Sequence, residues 1–380
     1  MAAAPAMPRA LSRRVFLSTL AVGGVGVYLA VRRWGGPDRR PSSPSHTPNL
    51  TPSATPPAST PSPSPIPDEG LYSIDAWPGL DWHLFSDTSV WNTPLDTSNV
   101  DPNSDVMIRT LISDGPPRDI TADVRSEWGF PFYFAREQDP VYEIVISGTN
   151  APFALEIDGL FVHCPVGIQT SSGSDGVFRL VEQTDGYTYH FQRAFVDDTA
   201  RVIHAWRSYR LETDGPGFLN VEEPPTGLQP IRPEELAAGF VRHTVGMHAR
   251  CLSGHNVAPY DLSGTKGVPC DPINDPTTRL SMGNVVFVDM TVAEIDALNV
   301  PTYQKAILKG LAIHGALVGF NGSHNWTLTY EAPQDRTAFG RPDPYLAAGL
   351  PSTLSIANAL DAVGGWGAKL KVLAPFRRPV

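Results

Sequence analysis

Lysine is nearly absent from this 380-residue chain, with Lys266, Lys305, Lys309, Lys369 and Lys371 as the only five. Positive charge is concentrated at the start instead. The first 40 residues hold seven Arg against one Asp, so with −10 overall the remaining 340 carry −16. Affinity for a phosphate backbone is mostly Lys/Arg electrostatics, and so acidic a body excludes nucleic acid as a partner. The sequence also lacks Cys-x-x-Cys, His-x-Glu and Glu-x-x-His pairs, a Gly-x-Ser-x-Gly elbow, a phosphate-cradling Gly loop and a dinucleotide fingerprint. His243 and His248 are five apart, which suits neither one strand face nor adjacent helical turns, and His190 and His204 fall on separate strands. Neither a metal nor a cofactor is expected.

What is present begins with an address. Ser12-Arg13-Arg14-Val15-Phe16-Leu17 opens an apolar run that ends before Arg32-Arg33, the pattern of a twin-arginine export signal. Val15 to Val31 is 17 residues, the lower limit for crossing a bilayer, so residues 1–36 serve as a cleaved signal or as a single membrane anchor. Residues 37–68 hold 11 Pro and 11 Ser/Thr, a composition that buries no apolar surface and forms an extended linker. At about 3.1 Å per residue it reaches up to about 100 Å from its origin, the scale of a cell-wall layer. The globular part is therefore residues 69–380, with an extracytoplasmic location expected.

Strand signals dominate that part. Tyr142–Ser147, Phe153–Cys164, Val177–Glu182, Tyr187–Phe195, Arg201–Glu212 and Phe240–Ala249 are β-branched and aromatic runs punctuated by turn residues. Asp185-Gly186 marks a hairpin, and 187–192 alternates aromatic with polar side chains. Helices are few: Asp105–Ile112, a capped turn opening at Thr291, Tyr303–His314 stopped by Gly315, and Ser352–Ala362. The pattern predicts a mainly β single domain, an antiparallel β-sandwich or jelly roll carrying a few short helices.

Glu156 and Asp158, two apart on an expected strand, share a face as the carboxylates of a retaining glycosidase would, although Asp158-Gly159 equally reads as a turn. Trp77, Trp82, Trp91 and Trp128, with Tyr72, Phe130, Phe132, Tyr133 and Phe134, supply either stacking platforms for sugars or a second hydrophobic layer.

Several segments together resemble a family of secreted bacterial proteins. They are Ser89-Val-Trp91-Asn92-Thr-Pro94, Ser174-Asp175-Gly176, Gly239-Phe-Val-Arg242-His243, Gly283-Asn-Val-Val-Phe, Lys309-Gly310-Leu311 and Asn321-Gly-Ser-His-Asn-Trp326. The chain departs from that pattern at Thr244, where Ala is expected, and at Phe320, where an acid is expected. The resemblance implies a secreted β-rich fold and hints at glycan chemistry. It favours His243 as the reactive residue, placed on a strand with Arg242 on the opposite face. Asp175, in a Gly-flanked turn, and His190, on the polar side of its strand, are the expected partners for general acid–base work. Trp91, Asn92, Arg242 and Trp326 are the expected substrate-binding residues. The resulting expectation is a glycan-active enzyme, hydrolase or lyase, on a polysaccharide or cell-wall glycan. The alternative is a non-catalytic carbohydrate- or partner-binding domain on a stalk.

Of the three cysteines, Cys251 and Cys270 bracket a Gly/Pro-rich loop, whereas Cys164 ends an apolar run. In an oxidising compartment a bridge across the loop contributes roughly 3 kcal/mol. Non-reducing peptide mapping of the exported chain is expected to recover Cys251 linked to Cys270, with Cys164 alkylated only after denaturation. A bridge containing Cys164 would overturn the assignment.

Overall fold

The alternating segment 187–192 is an inner strand of a sheet covered on both faces in the computed structural model of the chain. Residues 71–148, 156–217, 229–257, 275–322 and 325–375 are described, except for the side chains of Phe320 and Asn321. All of them lie in one unit, Pro61–Val380. The expected signal and linker over 1–68 lie outside the described residues.

Three sheets carry the fold. The central one orders β1 (Phe132–Ala135), β4 (Phe178–Glu182), β5 (Tyr187–Gln192) and β8 (Arg207–Glu212) as β1-β4-β5-β8. An outer sheet orders β2 (Val141–Ile146), β3 (Phe161–His163), β6 (Phe195–Asp197) and β7 (Val202–Ala205) as β3-β2-β7-β6. The third combines β9 (Val245–Ala249), β10 (Val285–Val288), β11 (Ala316–Asn321), β12 (Trp326–Leu328) and β13 (Leu370–Val372) as β12-β9-β11-β10-β13. The chain is mainly sheet, but the expectation of antiparallel pairing is corrected: β1 with β4, β2 with β7 and β9 with β11 are parallel. A parallel neighbour needs a crossover, and between β1 and β4 that crossover contains β2 and β3 of the other sheet.

Side-chain period decides what each face buries. Tyr133, Phe178, Leu180, Tyr189 and Phe191 of the central sheet meet Tyr142, Ile144, Val162, Ile203 and Ala205 of the outer sheet in one aromatic core. Phe178 stacks on Phe191 with ring centroids 4.6 Å apart. The opposite face sends Phe132, Phe134, Val181 and Leu211 into a larger core shared with the third sheet and the helices.

The hairpin at Asp185-Gly186 forms as expected: Gly186 takes φ 76°, and Asp185 accepts from the Tyr187 amide and the Tyr189 hydroxyl. The helices α1 (Ser104–Ser113), α4 (Val292–Ala297) and α5 (Thr302–Ile313) also form, the second with the Thr291/Glu294 capping box. Other expectations fail. Arg201–Glu212 is two strands in two sheets, β7 and β8, broken at Trp206. Phe240–Thr244 precedes its strand rather than belonging to it. Ser352–Ala362 is not an α-helix, because Leu354 is drawn into a bridge with Ile120. The short helices α2 (Ala122–Trp128), α3 (Pro233–Ala238), α6 (Gln334–Thr337), α7 (Pro344–Ala347) and α8 (Trp366–Lys369) were not expected.

Removing the Phe178 ring, fully buried between two sheets, is expected to cost about 3–5 kcal/mol of stability. Phe161→Ala on the outer sheet, where the ring is 67% exposed, should change stability by no more than about 0.5 kcal/mol. Urea midpoints of the two variants measure the contrast.

Candidate active site

Polar side chains project from the larger-core side of the central sheet, and a cavity of about 320 Å³ lies over them. Its floor is Asp175, Val177, His190 and Gln192. One wall is α2 and its flanks, with Arg118, Ile120, Val124, Arg125, Trp128 and Phe130. The other is the edge of the third sheet, with His248 and Thr327 to Tyr330. Thr121 caps α2 by accepting from the Val124 amide. At its other end Gly129 lets backbone meet backbone: a Cβ there would lie 2.4 Å from the Arg125 carbonyl and 3.0 Å from that of Tyr330. The spacing of the two walls is therefore set by main chain.

Several buried polar atoms of the lining have no hydrogen-bond partner: His190 Nδ1, Gln192 Oε1, Thr329 Oγ1, the Tyr330 hydroxyl, and Nε and Nη2 of Arg125. Unmet buried polar groups are costly, and such a cluster around one cavity marks a place where a ligand or water completes the bonding. Arg125 is rigidly placed. Its Nη1 donates to the carbonyls of Ile120 and Ser352, and its guanidinium lies 4.2 Å from the Tyr345 ring centroid. His190 packs against Tyr209, centroids 4.7 Å apart, and pairs across strands with Arg179 and Tyr209. Burial, reinforced by the charges of Arg179 and Arg207, holds its ring well below the usual histidine range. His190 is thus a neutral imidazole at neutral pH. Burial likewise pushes His248 down to about 4 and the Tyr330 hydroxyl well above its usual range.

The cavity brings together two of the three residues expected to react, Asp175 and His190, but Nδ1 of His190 makes no hydrogen bond to the acid. His243 lines a separate, much smaller cleft with Trp82, Arg232 and Glu331. It precedes β9 instead of lying on a strand, so the expected opposite-face arrangement with Arg242 does not arise. The His243 ring contacts Glu235 Oε2 at 3.2 Å and the Thr244 carbonyl at 3.0 Å. Around it runs a buried charge cluster. Arg336 reaches Glu331 (3.1 Å), Asp335 (3.2 Å) and Glu234 (3.0 Å), and Arg232 lies 3.6 Å from Glu331.

The expected substrate-binding residues are placed elsewhere too. Trp91 is buried in the larger core and donates to the Gly217 carbonyl, where a Cβ would collide with its indole. Asn92 ties the carbonyls of Leu84, Phe85 and Ser86 together and accepts from Gln229. Trp326 is buried edge-on against Trp366, and Arg242 is exposed and paired with Asp81 at 2.9 Å. The early aromatics are a second hydrophobic layer, with Tyr72, Trp77 and Trp82 edge-on to Phe134; Trp128, 42% exposed, stands instead at the cavity. Glu156 and Asp158 are exposed in a turn, and Asp158 accepts from the Ile146 amide. Cys164 is free and buried, its thiol pushed far up by burial, which removes it as a nucleophile. Cys270 lies outside the described residues, so its pairing with Cys251 does too. Among the described residues no group of three His, Cys, Asp or Glu is placed to hold a metal ion, and no helix is long and apolar enough to cross a membrane.

Arg125, Gln192, Thr329 and Tyr330 escaped the sequence reading. Gln192 alone left a trace, as the polar partner of His190 in an alternating strand. No family model, curated protein or solved structure matches the chain.

The His243–Glu235 pair has a pH signature. Burial opposes both charges, yet each partner's charge and hydrogen bond outweigh it, so His243 titrates above and Glu235 below its ordinary value. The raised histidine stabilises fully below its unfolded pKa and loses that contribution as pH rises through its folded one. The lowered carboxylate loses its contribution as pH falls through its own folded value. The stability lost in His243→Gln is therefore expected to be largest between about pH 5 and 6.5 and to shrink at pH 9, as read from thermal midpoints across that range.

Proposed function

We propose that the protein is an extracytoplasmic glycan-active enzyme, secreted or held at the cell surface by its N-terminal segment, and that the cavity over the central sheet is its active site. The observation that carries this reading is the convergence of a neutral histidine, a tyrosine hydroxyl, an arginine edge and amide and hydroxyl groups, all buried and without partners, on one cavity of about 320 Å³. That is the size of a small-ligand site, in which a few polar groups fix orientation. Trp128 offers an exposed ring beside it for stacking on a sugar face. The export signal and Pro-rich linker support a location where polysaccharide is the abundant substrate. On this reading the two four-stranded sheets around their shared aromatic core act as a β-sandwich platform under the site.

Incubating the purified chain with cell-wall and plant polysaccharides should release reducing ends. His190→Ala should lower the rate roughly 10²-fold or more, the scale for losing a general acid or base, with an unchanged circular dichroism spectrum. Because His190 titrates well below neutral, activity should persist unreduced from pH 7 down to pH 6. Binding without release, equal in both proteins, would assign the cavity to a non-catalytic carbohydrate-binding domain.

A further inference from the structure

Within that glycan reading, on which this inference rests, we propose that the sugar held in the cavity is a uronic acid and that its glycosidic bond is broken by β-elimination, with Arg125 on the carboxylate and His190 as the base. Arg125 presents the binding edge. Its Nη1 is committed to two backbone carbonyls, while Nε and Nη2, the two donors along one edge of the guanidinium, are buried and unpartnered. Two parallel N–H donors on a fixed plane match a carboxylate in bidentate fashion and match a neutral hydroxyl poorly. Arg118 adds a second cation to the same wall, and Arg179 and Arg207, cross-strand neighbours of His190 and Gln192, act electrostatically on His190. Two arginines in the lining, with the charges of two more reaching its histidine, mark the cavity for an anion in a body carrying −16.

The acids decide between the two ways of cleaving a glycan. Hydrolysis at an acetal draws on two carboxyl groups flanking the bond, and among the described residues lining this cavity Asp175 is the only one. The close pair Glu331 and Asp335 is buried beneath Arg336, in the cluster around His243. Elimination needs a different set: a cation to neutralise the carboxylate and so acidify the hydrogen on C5, an unprotonated base, and a proton donor for the departing oxygen. Arg125, neutral His190 and the protonated Tyr330 hydroxyl supply these in one cavity. His190 Nδ1 takes the C5 proton, and the electron pair of that C–H bond becomes the C4=C5 double bond. The C4–O bond breaks with its pair on oxygen, which takes the proton of Tyr330. The His190 proton then restores the tyrosine through solvent. No water is consumed and no redox partner is required. The products are a shortened glycan and an unsaturated uronate whose double bond is conjugated with its carboxyl group.

The test uses the full chain with polygalacturonate and alginate as acidic polymers and a neutral β-glucan as control, in ¹⁸O-labelled water. The expected result is ultraviolet absorbance of the conjugated acid rising in step with reducing ends, no ¹⁸O in the product, and no reaction on the glucan. Arg118→Gln, at a half-exposed position that tolerates exchange, should lower kcat/KM on the acidic polymer by about tenfold through KM, and Tyr330→Phe should lower kcat, with unfolding midpoints held. Label incorporated from water, or cleavage of the glucan alone, overturns the inference while leaving the glycan reading intact. Acidic oligomers that bind without unsaturated product overturn the elimination step. Absence of both binding and cleavage on all three polymers overturns the glycan reading itself.

Discussion

Everything in this fold follows from the central sheet being buried on both sides while its two faces differ: one is largely aromatic, the other carries a polar patch on β5. Tyr189 and Phe191 face the outer sheet and complete an aromatic core; Thr188, His190 and Gln192, between and beside them on β5, face the other way. Arg179 is their cross-strand neighbour. A polar surface of this kind cannot close against hydrophobic residues without stranding its donors and acceptors. The larger core accordingly packs against the aromatic and aliphatic residues of β1, β4 and β8 and leaves the polar patch roofed but unfilled. The site exists because that part of the sheet has no complementary partner among the described residues.

A second group of polar residues had the opposite fate. Arg232 and Arg336 are each surrounded by carboxylates, and both also engage the aromatic segment that opens the described structure: Arg336 lies 3.6 Å from the Trp77 ring centroid, and Arg232 donates to the carbonyls of Pro78, Gly79 and Trp82. The cluster fastens residues 77–82 to α3 and α6. Removing one member of such a network leaves an uncompensated buried charge, so its members are mutually obligatory. His243 belongs here, held by Glu235, and its proximity to Arg242 in the sequence says nothing about the cavity.

Sequence and structure agree where a residue's local context decides its conformation. The Asp185-Gly186 turn, the Thr291/Glu294 capping box and the stop at Gly315 each carry their own chemistry within a few residues and were legible. β1 was not, because Phe132-Tyr-Phe-Ala135 is buried on both faces and a continuous apolar run has no period to read. The break at Trp206, between β7 and β8, follows from a choice of sheet that long-range packing makes. The site divides the same way. Asp175 and His190 were found from a turn and from an alternation, whereas Arg125 sits in a seven-residue helix too short to show a face, and Tyr330 follows an edge strand. Trp91 and Trp326 misled for a physical reason: a large ring in a turn-rich segment is as readily a core anchor as a platform, and only burial separates the two.

The route of the chain through the two four-stranded sheets has a consequence for how the protein is made. It leaves the central sheet after β1, returns at β4, leaves again after β5 and returns at β8. Neither sheet is a contiguous stretch of polypeptide, and the last of their strands to be synthesised, β8, pairs with β5, laid down before the second departure. Pairings of such high sequence separation make folding slow, because loop closure precedes any reward from contact. A chain with this itinerary stays unfinished, with bare strand edges, until Glu212 has emerged. On the proposed twin-arginine export, which takes completed folds, that slow step and its protection from aggregation fall to the compartment where the protein is synthesised.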